Sequence, residues 1–200
     1  MVGRKANAAS VPGTTVFLRA KGSVYALNAS SGQVLWRKHI GNDWTGDPKP
    51  ISSAADSDVF ISIPEQGKIR RLSAIEGAMV WEAKFTGRII EPSIDGDDIF
   101  VAIAGDATTA GVATGEVFCL DAATGQTRWG KKLPQAIDVG VGGAAGKKMR
   151  YVLGNHSNLY AMSRASGKCE EVEYVGHAPS SIAVPPVWIQ NQLILFENEG

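Results

Sequence analysis

The chain is short of most features that mark a function. It has two cysteines, Cys119 and Cys169, 50 residues apart with no CxxC pair, which excludes a disulfide framework and a four-cysteine zinc knuckle. Buried free thiols are the expectation, with a single disulfide as the alternative. Neither sign of charge is in excess: 20 Lys and Arg balance 20 Asp and Glu. No field then draws nucleic acid or an anionic membrane, and neither is expected as a partner. No stretch approaches the ~20 apolar residues of a membrane helix, so no membrane insertion is expected within these residues. The opening MVGRKANAAS lacks an apolar core, and no signal peptide is expected in it. His39, His156 and His177 have no neighbouring Glu or His at metal spacing, which reads as surface or strand-end residues rather than ligands. No G-x-S-x-G elbow is present, and no Ser/His/Asp triad can be argued. No segment of ten or more residues keeps a 3.6-residue apolar period, so helices are not expected.

What is present is a repeat. The stretches ALNASSGQVLW (26–36), RLSAIEGAMVW (71–81), CLDAATGQTRW (119–129) and AMSRASGKCEE (161–171) share one skeleton. Their turn glycines, Gly32, Gly77, Gly125 and Gly167, are spaced 45, 48 and 42 residues apart. Trp36, Trp81 and Trp129 close three copies, and Glu171 closes the fourth. The segments before each copy repeat as well: ASVPGTTVF (9–17), SSAADSDVF (52–60) and PSIDGDDIF (92–100). Runs such as VFLRA, VFISI, IFVAI and LILFE are rich in β-branched and aromatic residues, as strands are. The 23 glycines suit many short strands joined by tight turns. Four strands in about 45 residues are the size of a propeller blade, and stacking such sheets around an axis covers faces that one sheet leaves open. The fold class is all-β, a propeller of four-stranded antiparallel blades.

The 11-residue pattern resembles the tryptophan-docking motif A-x-D-x-x-T-G-x-x-x-W of the quinoprotein-like (PQQ-like repeat) β-propellers. Asp121, Thr124, Gly125 and Trp129 carry the match in full, and Asn28 and Ser31 are near equivalents in the first copy. Ser73 and Glu76 depart from the pattern in the second. The resemblance implies a single partial propeller over residues 1–200, with blades at about 8–41, 48–87, 90–134 and 136–176. Residues 182–197 form a partial fifth blade. It also implies that Gly32, Trp36, Gly77, Trp81, Gly125, Trp129 and Gly167 dock blade on blade. Three arrangements follow: part of a six- to eight-bladed ring completed by remaining blades of the same protein, a half-ring closed by a second copy, or, third in order, a self-contained four-bladed ring.

Other motifs have structural readings. GVGGAAG (140–146) spells G-x-G-x-x-A, but the strand-like KKMRYVLGN follows where a dinucleotide site needs a helix, so it reads as a loop. DGDD (95–98) lacks calcium-loop spacing and sits where a hairpin turn falls. NAS (28–30) and NHS (155–157) are formal glycosylation sequons, short enough to arise by chance. Propellers bind ligands through the loops that join one blade to the next. Here those loops offer Asp43, Trp44, Arg88, Glu91, Asp138 and His177, with Trp44 the foremost contact and packing on its own blade as its alternative. The reading is a non-catalytic propeller that binds or scaffolds a protein partner or small ligand at the channel mouth, with no cofactor. The resemblance keeps two alternatives open. One is the partial ring of a pyrroloquinoline-quinone-dependent dehydrogenase with calcium; the other is the sensor domain of a larger receptor or kinase. It also implies an extracytoplasmic location, periplasmic or at the cell surface.

Overall fold

The computed structural model describes residues 15–41, 49–50, 58–105, 113–178 and 181–198. Within them the chain forms five antiparallel sheets whose strand order follows the sequence. Sheet 1 holds β1 (Thr15–Ala20), β2 (Ser23–Asn28) and β3 (Val34–His39). Sheet 2 holds β4 (Lys49–Pro50), β5 (Val59–Ile63), β6 (Lys68–Leu72) and β7 (Met79–Lys84). Sheet 3 holds β8 (Ile89–Asp95), β9 (Asp98–Ile103), β10 (Gly115–Asp121) and β11 (Thr127–Leu133). Sheet 4 holds β12 (Met149–Leu153), β13 (Asn158–Ser163) and β14 (Cys169–Tyr174). Sheet 5 is the hairpin of β15 (Val187–Ile189) and β16 (Gln192–Ile194), extended by an Ile182–Glu197 bridge. The segment containing GVGG, read above as a loop, forms no strand, but two isolated bridges, Ile137–Gly154 and Gly142–Tyr151, tie it to sheet 4.

Local chemistry explains the repeated hairpin. Asn28 accepts hydrogen bonds through Oδ1 from the backbone N–H of Ser30 (2.9 Å) and Ser31 (3.0 Å). Asp121 accepts likewise from the N–H of Thr124 (2.8 Å). Such side chains mimic a backbone turn. The turn then needs a left-handed residue, and the glycine supplies it, with φ between 64° and 72° in all four copies. The register slips by one residue at the same place each time, at Ala26/Leu27, Arg71/Leu72, Cys119/Leu120 and Ala161/Met162. That bulge twists the outer strand and turns its tryptophan toward the next sheet.

The core lies between sheets. Strands β5 and β9 are buried on both faces, because each is covered by a neighbouring sheet on either side. Trp36 of sheet 1 donates Nε1–H to the Ala74 carbonyl in sheet 2 (2.7 Å). Trp81 donates to the Ala122 carbonyl of sheet 3 (3.1 Å), and Trp129 to the Arg164 carbonyl of sheet 4 (2.8 Å). Each indole lies on the glycine of the next hairpin. A Cβ on Gly77 would stand 2.7 Å from Trp36, and one on Gly125 2.6 Å from Trp81. Gly167 meets Trp129 in the same way. Burying an indole removes about 150–250 Å² from water, roughly 4–6 kcal/mol per junction before ordering entropy is counted. Glu171 stands at the tryptophan position of sheet 4, on a strand exposed along its length. Cys119 is buried, whereas Cys169, expected to be buried, is an exposed free thiol. It opens β14, which no described residue covers.

Candidate functional site

The inter-sheet connections emerge at one end of the stack, and the β8–β9 and β10–β11 hairpins turn at the other. At the connection end, Asp43 and Trp44 lie outside the described residues. Arg88 is exposed, and its carbonyl accepts the Ala104 N–H (2.9 Å). Glu91, expected in a loop, is an exposed residue within β8. Asp138 is exposed just after the bridged Ile137, and His177 is half-buried just beyond β14. The fold brings Asp138 and His177 together on a cavity of about 10 Å³, the size of one water molecule. The His177 ring places Nδ1 2.7 Å from the Ala178 carbonyl. Its Nε2 and the Asn155 Oδ1 are buried without a hydrogen-bond partner among the described residues.

At the hairpin end β8 of sheet 3 and the segments leading into sheets 4 and 5 line a larger cleft of about 370 Å³. Its walls are Ser93–Asp95, Val141–Ala145 and Val184–Val187, and Phe100 and Arg150 form its floor. The strands approach closely. Ser93 donates Oγ–H to the Val141 carbonyl (2.9 Å), and Gly143 donates its N–H to Pro186 (3.2 Å). A side chain on Gly140 would strike the Glu91 carbonyl, and one on Gly142 would strike that of Pro186. Gly140 and Gly142 are therefore glycine because the backbones of Glu91 and Pro186 lie against them.

Arg150 is the unusual member of this site. Strand register places it where Val59 and Ile99 stand in sheets 2 and 3, yet it is 3% exposed. It ion-pairs with Asp95, donates to the carbonyls of Ala144 (2.8 Å) and Met149 (3.1 Å), and lies 4.8 Å over the Phe100 ring. Burial pushes its guanidinium down to about 10, and the nearby charge of Arg164 adds to the effect. Arg164 in turn binds Asp95 (2.7 Å) and Asp98 (2.6 Å), and Arg128 binds Asp98 (2.7 Å) and Asp121 (2.6 Å). The Arg128 hydrogen bond and the Thr124 N–H hold the Asp121 carboxyl down to about 2. Burial, with the charge of Asp98, pushes the Cys119 thiol up to about 12. This network ties the turns of sheets 3 and 4 together.

Two further clefts flank the 144–148 hairpin. One of about 410 Å³ includes Arg128, Lys147, Lys148 and Arg164. The other, about 450 Å³, includes Lys147, Lys148, Tyr151 and Trp188, the last two rings stacked 5.7 Å apart. Aromatic anchors beside lysines suit contact with a polypeptide that carries apolar and acidic side chains. No group of three or more His, Cys, Asp or Glu side chains that could hold a metal ion occurs among the described residues. The DGDD turn is a turn, as its place in the repeat predicts, but Asp95 and Asp98 are also the anions of the network. Arg128, Arg150 and Arg164 were not visible as candidates. The signal was a charged residue at a repeat position that is apolar in other copies: Arg150 for Val59 and Ile99, Arg164 for Ala74 and Ala122.

Residues 20–114, just under half of the chain, match the family described as outer membrane protein assembly factor BamB. Over 191 residues the chain is 27% identical to the outer membrane protein assembly factor BamB of Burkholderia pseudomallei (strain K96243), covering 90% of this chain and 45% of that protein. Among solved structures, a computationally designed protein superposes with a TM-score of 0.66 at 12% identity, covering 92% of this chain and 53% of that one. A quinohemoprotein alcohol dehydrogenase from Pseudomonas putida HK5 superposes with a TM-score of 0.55 at 14% identity, covering 81% and 33%. These structural likenesses speak to the fold alone. The chain spans about half, or less, of the length of the proteins it matches.

Proposed function

We propose that this PQQ-like repeat β-propeller is a non-catalytic module that binds other proteins during outer-membrane protein assembly, working on the periplasmic side of that membrane. The observation that carries the proposal is the sequence relation to an assembly factor across 90% of the chain. The site geometry supports it. The cleft at the hairpin end offers apolar walls, and the adjoining cleft beside the 144–148 turn adds an aromatic pair and two lysines, together the composition of a surface that takes a peptide. The proposal assigns no cofactor to these residues. The partner contacts the propeller at a mouth of the channel. The hairpin-end cleft is the primary surface, and Arg88, Glu91, Asp138 and His177 form the opposite rim.

Photo-crosslinking in the full-length protein, in its own envelope, tests both surfaces. A benzophenone side chain replaces Lys148 or Trp188 at the hairpin end, and Arg88 or His177 at the connection end. Adducts from the hairpin end to a component of the outer-membrane protein assembly machinery are expected. Adducts from the connection end alone would move the site to the opposite rim. A full-length protein that forms no such adducts from either end, and whose deletion leaves outer-membrane protein levels unchanged, would sink the reading.

A further inference from the structure

The charges at the hairpin end do not balance, and the surplus sits on one turn. Three arginines stand here, and three aspartates answer them. Arg164 commits all three guanidinium nitrogens: Nε to Asp98 (2.6 Å), Nη1 to the Asp95 carboxylate (2.7 Å) and Nη2 to the Asp95 carbonyl (2.8 Å). Arg128 divides Nη1 and Nη2 between Asp98 (2.7 Å) and Asp121 (2.6 Å). Arg150 is buried against Asp95. Lys147 and Lys148 are different: both are exposed, and neither ammonium pairs with a described residue. Asp97, the remaining acid of the neighbouring turn, lines neither of the clefts beside them. The two lysines are therefore left uncompensated.

The turn that presents them is fixed from both ends. The Gly146 N–H reaches the Asp95 carboxylate (2.9 Å), the Lys147 N–H reaches the Ala144 carbonyl (3.2 Å), and the Lys148 carbonyl accepts the Arg164 N–H (2.8 Å). Gly146 supplies the positive φ of 70° that the turn needs. The backbone under the lysines is thus set before a partner arrives, and only their side chains remain to be ordered. Both lysines line both clefts. On one side they face Arg164 and Asp98; on the other they stand beside Tyr151 and Trp188, whose rings lie 13° from parallel.

We propose that the 144–148 turn docks an acidic segment of a partner protein, with its carboxylates on Lys147 and Lys148 and an apolar side chain against the Tyr151–Trp188 stack. This rests on the reading of the hairpin end as the partner surface, and it names what the partner carries there. A basic segment would meet two uncompensated ammonium groups. It would find no free carboxylate in return, because Asp98, the one acid lining these clefts among the described residues, is already held by Arg128 and Arg164. The three arginines take no part, since their charge is already answered. The flat apolar wall beside the lysines favours a polypeptide over a small anion, which would leave the rings unused.

The test uses the full-length protein and a dye-labelled synthetic peptide of glycine and serine that carries several glutamates and one phenylalanine, with binding read by anisotropy. The glutamate peptide should bind about tenfold or more tightly than its glutamine counterpart, and salt should weaken it. Lys147→Glu/Lys148→Glu should cost about tenfold or more in affinity while leaving Tm unchanged, since both side chains are exposed. Trp188→Ala should cost a similar factor. Lys131→Glu/Lys132→Glu on β11 makes the same change in net charge at exposed positions that line neither cleft, and affinity should stay within about twofold. Equal losses in the two double variants, or equal binding of the glutamate and glutamine peptides, would overturn the proposal. So would lysine-dependent binding to phosphatidylglycerol vesicles tighter than to the peptide. The outcome is separable from that of the crosslinking above. Adducts from a benzophenone at Trp188 to the assembly machinery that persist unchanged in Lys147→Glu/Lys148→Glu would keep the function and sink this inference. Lysine-dependent binding of the acidic peptide without such adducts would do the reverse.

Discussion

Arg150 and Asp95 give an asymmetry that can be worked out in advance. Asp95→Ala leaves Arg150, whose side chain is 4% exposed, with two backbone carbonyls, the face of the Phe100 ring and the repulsive charge of Arg164, and no anion among its described contacts. Removing one partner of a buried pair costs about 3–5 kcal/mol, chiefly through the uncompensated charge. Arg150→Met is a different perturbation. Asp95 keeps Arg164 at 2.7 Å and the Gly146 N–H at 2.9 Å, so it is not stranded. An unbranched apolar side chain then fills a position that is Val59 or Ile99 in the neighbouring sheets, and the expected cost is about 1 kcal/mol or less. At about 2–4 °C per kcal/mol for a domain of this size, Asp95→Ala lowers Tm by roughly 6–20 °C, and Arg150→Met by at most a few degrees. Denaturant titration followed by tryptophan fluorescence measures both, with the m-value confirming that only stability has changed. The double variant Asp95→Ala/Arg150→Met should recover most of the Asp95→Ala loss, because the stranded charge is gone. Should Arg150→Met prove as costly as Asp95→Ala, or the double variant simply add the two losses, the reasoning fails.

Two further predictions concern titration. The native protein should react with a thiol reagent at pH 8 rapidly at Cys169 and not at Cys119, whose thiol burial holds at about 12; Cys119 should react only on unfolding. Rapid modification of Cys119 in the folded state, read by peptide mapping, would contradict its place between the sheets. Asp121 has a folded pKa of about 2 against an ordinary 3.8, so its contribution to stability is complete above the ordinary value and is lost as pH falls through about 2. The stability difference between the native protein and Asp121→Asn should therefore shrink between pH 4 and pH 2, and a difference constant with pH would exclude the Arg128 and Thr124 interactions as its cause.

Much of the architecture was legible because a propeller repeats its local chemistry. The Gly-to-Gly spacing near 45 residues and the β-branched runs are properties of single blades, and they lead to the sheets seen here. The site was less legible. Of the six loop residues singled out, Asp43 and Trp44 lie outside the described residues, Glu91 sits within β8, and Arg88 is exposed on a connection. Only Asp138 and His177 meet, on a cavity that no spacing of theirs announces. Nor did the sequence show why Gly140 and Gly142 are glycine, because the reason is the backbone of Glu91 and Pro186, about 50 and 45 positions away.

The sequence by itself determined that the chain is all-β, where its hairpins turn and which residue must be glycine at each, since positive φ is a local demand that a local residue answers. Only the tertiary structure decided that Trp36 meets Gly77, Trp81 meets Gly125 and Trp129 meets Gly167. It also decided that Arg150 and Arg164 gather Asp95 and Asp98 across a blade junction, and that no described residue lies against Gly32. These contacts join residues 38 to 69 positions apart. They depend on how one twisted sheet lies on the next, which no single repeat encodes.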